Sequence, residues 1–116
     1  VNDYEGRMLC ERLGVGLAEL SRTPNLAGVV VTLGGDGCEL WIDGQRTHVP
    51  GVAAERLIDP TGCGDAFRAA LLFGLERGWS LDRCAALGNR LGALKIACHG
   101  PQNHRLDETT QRLLVD

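Results

Sequence analysis

The residues with most scope for chemistry stand in one short stretch, Asp59-Pro60-Thr61-Gly62-Cys63-Gly64-Asp65. Leu57 and Ile58 end a short run before it, and an apolar segment from Ala66 to Leu75 follows. This order predicts a strand, a glycine-rich turn and a helix. Glycine tolerates backbone angles that a side chain forbids. Gly62 and Gly64 would therefore let successive N–H groups point into one concavity, beside the positive end of the helix dipole. Such a place attracts anions, phosphate above all. Asp65 falls in the same turn. A carboxylate there suits a further task, taking the proton from a hydroxyl that attacks a phosphate. Gly, Asp and Pro are also ordinary turn residues, and Asp near a helix start is an ordinary cap, so a bare G-x-G-D would decide nothing.

The longer string carries more. From Asp59 to Leu72 it runs D-P-T-G-C-G-D-A-F-R-A-A-L-L. This resembles the C-terminal signature of the PfkB family, the ribokinase-like sugar and nucleoside kinases, whose usual form is D-T-T-G-A-G-D followed by a helix of small residues. Pro60 is a common variant, and Cys63 replaces a small Ala or Gly. The resemblance implies that Asp65 is the catalytic base. It implies that the amides of Gly62, Cys63 and Gly64 form an anion hole for charge gathering on the phosphoryl oxygens. It also implies that Asp59 and Thr61 help hold a monovalent cation such as potassium, to which oxygen ligands are suited. The alternative is that these two side chains bond their own turn.

Upstream, Asn2 to Leu13 is expected to be a helix, with Met8, Leu9, Cys10 and Leu13 on its apolar side. Asn2 followed by Glu5 is a capping-box arrangement. N-x-x-E is also a PfkB motif, in which the Glu acts mainly through water on magnesium and the phosphates. Both roles are compatible at Asn2 and Glu5, because a cap fixes the side chain that the metal's water shell needs. The β-branched run Val29 to Leu33, following a helix, suggests a strand buried on both faces of a parallel sheet. Thr32-Leu33-Gly34-Gly35-Asp36-Gly37 ends it. Taken alone this is a tight turn; in this order it resembles the family's second ATP-binding loop, with Thr32, Gly34 and Gly37 along the nucleotide.

The positioning elements follow. Cys38–Ile42 and Gln45–Val49 around Asp43-Gly44 predict a hairpin at the sheet edge. Trp41 is expected to pack and His48 to be an exposed strand residue. Glu55 to Ile58 is a short strand into the central motif. Gly64 to Arg77 is a helix apolar nearly all round, as in a buried core. Ser80 caps a further helix to about Ala97, where Asn89 either faces the adenine, as in family members, or is solvated. Cys98 to His104 is a polar loop, and Asp107 to Val115 a final amphipathic helix.

Composition sets limits. The 116 residues allow one domain with a modest core, and the net charge of −3 gives no broad basic face for nucleic acid. No apolar run approaches membrane-spanning length, and the acidic start is not expected to be a signal peptide. The cysteines at 10, 38, 63, 84 and 98 form no C-x-x-C pair and are expected to be reduced thiols of a cytoplasmic protein. The expected fold is an α/β, ribokinase-like parallel-sheet sandwich with flanking helices and an edge β-hairpin. Residues 1–116 are expected to be its C-terminal, nucleotide-binding portion, with the N-terminal substrate and lid half absent. The expected activity is transfer of the γ-phosphate of ATP, with Mg2+, to a hydroxyl of a sugar or nucleoside. The ending with Gln102-Asn103-His104 resembles a subgroup of bacterial adenosine and sugar kinases, and with T-G-C-G-D this resemblance implies adenosine or a ribose-like sugar as the acceptor. A homodimer is an assembly such a chain could form. The alternative is a non-catalytic nucleotide-binding fragment that needs the missing half or a partner. A Rossmann dehydrogenase is disfavoured because no G-x-G-x-x-G opens the helix.

Overall fold

A computed structural model of the chain describes residues 1–52, 63–96 and 108–115. The chain divides into two units, Val1–Pro50 and Gly51–Asp116.

The first unit is built from α1 (Asp3–Leu13), α2 (Leu17–Ser21), β1 (Val29–Thr32), β2 (Cys38–Ile42) and β3 (Gln45–Val49). The strands form an antiparallel sheet in the order β1-β2-β3, with Val31 opposite Glu39 and Leu40 opposite Thr47. The Asp43-Gly44 turn takes positive φ at both residues, 49° and 81°. That is what a two-residue hairpin turn matching the strand twist requires. Ser21 pins this turn to α2: its Oγ accepts the Gly44 N–H at 2.8 Å and donates to the Ala18 carbonyl at 2.7 Å.

The sequence suggested a parallel sheet around β1. Among the described residues β1 instead pairs antiparallel with β2, because the connection over 33–37 is short and a parallel crossover takes about a dozen residues. Parallel pairing occurs on the other edge of β1. There Asn2 bridges Thr32, the Thr32 N–H donates to the Val1 carbonyl at 2.8 Å, and Val1 N donates to the Val30 carbonyl at 3.0 Å. Residues 1–2, α1 and β1 thus make a strand–helix–strand crossover. Val31 is 3% exposed on one sheet face, while Cys38 and Leu40, at 0% and 1%, are buried on the other.

α1 packs differently from expectation. Met8, Leu9 and Leu13 are exposed, and Gly6 is the buried residue. A Cβ on Gly6 would lie 3.5 Å from Val1 Cγ2 and 3.9 Å from the Val31 methyls, so the helix rests on the sheet through its smallest residue.

The second unit holds α3 (Cys63–Glu76), α4 (Leu81–Ile96) and α5 (Glu108–Val115). The N–H of Trp79 reaches the Gly74 carbonyl at 2.9 Å and that of Gly78, at φ 73°, the Leu75 carbonyl at 3.0 Å. This Schellman arrangement ends α3. α4 then returns antiparallel, with Gly74 against Cys84 and Gly88 against Phe67. α3 is not buried all round: Ala66, Phe67, Ala70 and Gly74 are covered, whereas Leu72 is 69% exposed. Beyond the hairpin, Phe73 meets Trp79 edge-on at 5.5 Å, with Arg77 over the first ring and Arg83 over the second. No helix among the described residues is long and apolar enough to cross a membrane.

A Cβ on Gly74 would fall 2.4 Å from Cys84 Sγ, whereas one on Gly92, in the same hairpin, meets nothing within 4 Å. Gly74→Ala is therefore expected to destabilise the chain by about 1–3 kcal/mol through overpacking. Gly92→Ala should stabilise it by roughly 0.5–1 kcal/mol through helix propensity. Urea denaturation of both variants checks the contrast, and equal effects would refute the close crossing.

Candidate active site

The first group of site residues is assembled by the pairing of residues 1–2 with β1. Asn2 is the N-cap of α1; its side chain accepts the Glu5 N–H at 2.7 Å, and Glu5 Oε1 accepts the Asn2 N–H at 2.9 Å. The expected capping box is present. The bridge to Thr32 sets this box beside the end of β1, so N-x-x-E and T-L-G-G come together although some thirty residues of sequence separate Asn2 from Thr32. Each follows the carboxyl end of one of two parallel neighbours, the usual ligand side of an α/β sheet.

After Thr32 the chain makes a 3-10 turn over Gly34–Asp36. Gly34 has φ 61° and Gly37 φ 91° with ψ −130°, so both positions demand glycine. The Leu33 N–H donates to the Gly37 carbonyl at 2.8 Å and closes the loop. His48, exposed as expected, has a contact that strand periodicity did not indicate. Its ring Nε2–H donates to the Asp36 carbonyl at 2.8 Å and ties the glycine loop to β3.

Glu5 and Asn2 are both exposed, and one Glu5 oxygen is committed to the cap. One carboxylate oxygen and one amide fit contact with a magnesium ion through its water, since that ion keeps several waters and uses few protein oxygens beside the phosphates. Among the described residues no three His, Cys, Asp or Glu converge on a single point.

The second group is at the start of α3. Cys63 and Asp65 both lie in its first turn, and the Asp65 side chain is 83% exposed at the end where the helix dipole favours negative charge. Its carboxylate is not locked into the interior; Oδ1 accepts from Arg68 Nη1 at 3.1 Å. Gly64 departs from expectation. It lies within the helix, outside the positive-φ glycines, and a Cβ there would meet only Arg68 Nη1, at 3.6 Å. Ordinary helical geometry thus presents its amide. Arg68, three residues after Asp65, was detectable from helical spacing once the helix was predicted. Gly62, Asp59, Thr61 and the loop 98–104 lie outside the described residues.

Asn89 is buried at 9% exposure on α4, so its solvated reading is corrected. Cys38 and Cys84 are buried, whereas Cys10 and Cys63 are half-buried. Burial pushes the Cys84 thiol above its ordinary range, opposed by a backbone hydrogen bond and the Arg83 charge.

The fold is that of the ribokinase-like class. The family model for the pfkB family carbohydrate kinases matches residues 1–108, and the chain belongs to that family. The chain is 45% identical over 69 residues to inositol 3-kinase of Zea mays, a match covering 60% of this chain and 18% of the relative. It is 29% identical over 87 residues to the nucleoside kinase of Methanocaldococcus jannaschii, covering 73% and 29%. The nucleoside kinase of Burkholderia thailandensis, solved in complex with inosine, superposes with a TM-score of 0.87 at 37% identity, over 99% of this chain and 38% of that one. The same kinase in complex with ADP-inosine matches with a TM-score of 0.86. The chain therefore spans well under half the length of these relatives.

Thiol reactivity follows thiolate character and access. Iodoacetamide at about pH 8 is expected to modify Cys10 and Cys63 well before Cys38 and Cys84 in the folded chain. Mass spectrometry of timed digests reads the order, and a Cys84 as fast as Cys63 would contradict its burial.

Proposed function

We propose that this chain is the nucleotide-side, C-terminal portion of a kinase that moves the γ-phosphate of ATP to a hydroxyl of a nucleoside or ribose-like sugar. The observation that carries the reading is Asp65: an accessible carboxylate in the first helical turn, where phosphate is favoured, within a carbohydrate kinase family. Asp65 accepts the hydroxyl proton while the oxygen attacks the γ-phosphorus. The amides of Gly62, Cys63 and Gly64 stabilise charge on the phosphoryl oxygens. Thr32, Gly34 and Gly37 position the nucleotide, and the buried amide of Asn89 suits a contact with its base. Magnesium, when bound, neutralises phosphate charge; Glu5 and Asn2 hold its water shell, and Asp59 and Thr61 are the proposed ligands of potassium. Similarity to a kinase solved with inosine and with ADP-inosine supports a nucleoside acceptor and an adenine nucleotide donor. Similarity to inositol 3-kinase makes inositol the comparison acceptor.

A second reading rests on the chain's spanning 38% of the Burkholderia kinase. In it, these 116 residues alone bind nucleotide and transfer nothing until the rest of the kinase fold is supplied.

In the full-length protein containing this chain, Asp65→Asn is expected to keep magnesium–ATP binding in calorimetry. Its turnover of adenosine, inosine, ribose or inositol should fall by roughly 10²- to 10⁴-fold. Turnover surviving within about tenfold would remove the base assignment. Calorimetry on the 116 residues alone, beside the same transfer assay, separates the second reading: binding without transfer favours it.

A further inference from the structure

Arg68 is one helical turn beyond Asp65, with Nη1 3.1 Å from Asp65 Oδ1. The same guanidinium leans back towards the start of α3, where a Cβ on Gly64 would be 3.6 Å from it. One cation therefore lies against both the Asp65 carboxylate and the backbone of the first turn.

Fold stability does not account for this placement. The side chains are 62% and 83% exposed. Solvent screens such a pair, and ordering two side chains offsets much of its attraction. The helix dipole also disfavours a cation near an N-terminus. The guanidinium is held there against that field by an anion, now the Asp65 carboxylate. Its planar fork matches carboxylate and phosphate alike.

We propose that Arg68 is a positioning residue for phosphoryl transfer: it orients the Asp65 carboxylate over the first turn of α3 and places a positive charge beside the turn that receives the transferred phosphate. This rests on the reading of Asp65 as proton acceptor. As the acceptor oxygen bonds to the γ-phosphorus, its O–H bond breaks and the proton passes to Asp65, while the bond from phosphorus to the β-phosphate oxygen breaks and ADP leaves. Protonation neutralises Asp65 and weakens its hold on Arg68, which leaves the guanidinium available to the phosphoryl oxygens.

The test compares the full-length protein with its Arg68→Met, Arg68→Lys and Asp65→Asn variants, using magnesium–ATP and whichever of inosine, adenosine and ribose the parent phosphorylates. Arg68→Met is expected to lower kcat by roughly ten- to a hundredfold through a misplaced base. KM for ATP and acceptor should stay within about threefold, since the loss is in the reacting geometry. Arg68→Lys, which keeps the charge, should recover part of kcat, and thermal unfolding of both variants should match the parent. A kcat for Arg68→Met within about twofold of the parent overturns the inference, as does a raised KM at unchanged kcat or no recovery with lysine. If Asp65→Asn loses turnover while Arg68→Met keeps it, this inference alone fails. If Asp65→Asn keeps turnover, or the parent phosphorylates none of the three acceptors, the underlying reading fails and takes the inference with it.

Discussion

The first unit depends on a few backbone hydrogen bonds between residues 1–2 and β1. The Thr32 N–H donates to the Val1 carbonyl, Val1 N donates to the Val30 carbonyl, and Asn2 bridges Thr32 in parallel. Parallel neighbours end on the same side of a sheet, so whatever follows each of them meets there. One is followed by the capping box of α1, the other by the glycine turn. Each backbone bond is a modest net stabiliser in water, but together they set the register that makes two stretches distant in sequence into neighbours. Gly6 allows this by letting α1 settle onto Val1 and Val31 without a side chain between.

The second unit obeys a complementary constraint. Gly74 and Gly88 leave room for Cys84 and Phe67, so α3 and α4 approach closely, and Ala66, Phe67 and Ala70 are buried. That packing holds α3 by its middle, while the Asp65 side chain in its first turn stays exposed. The exposure of Asp65 is thus the counterpart of the tight crossing farther along the same helix. The acidic and basic groups at that end, Asp65 and Arg68, do little for stability, which leaves them available to chemistry.

Membership of the pfkB carbohydrate kinase family names no acceptor. The relatives act on different alcohols, as the names inositol 3-kinase and nucleoside kinase state. In this chain the described residues form a capped helix beside a glycine turn, and a carboxylate stands at a helix start.

Sequence by itself determined the structures closed by neighbours in the chain. The Asn2–Glu5 capping box, the Asp43-Gly44 hairpin with the bounds of β2 and β3, and the helix stop at Gly78 all follow from side chains or glycines acting within a few residues. Tertiary structure decided what needs distant partners. It paired β1 antiparallel on one edge and parallel on the other, kept Gly64 in ordinary helical geometry, and buried Asn89 rather than solvating it. It also left Met8, Leu9 and Leu72 exposed although periodicity placed them inside, and it joined His48 to the Asp36 carbonyl. Periodicity shows which residues are apolar, but burial and register depend on which surface arrives to cover them, and that surface comes from elsewhere in the chain.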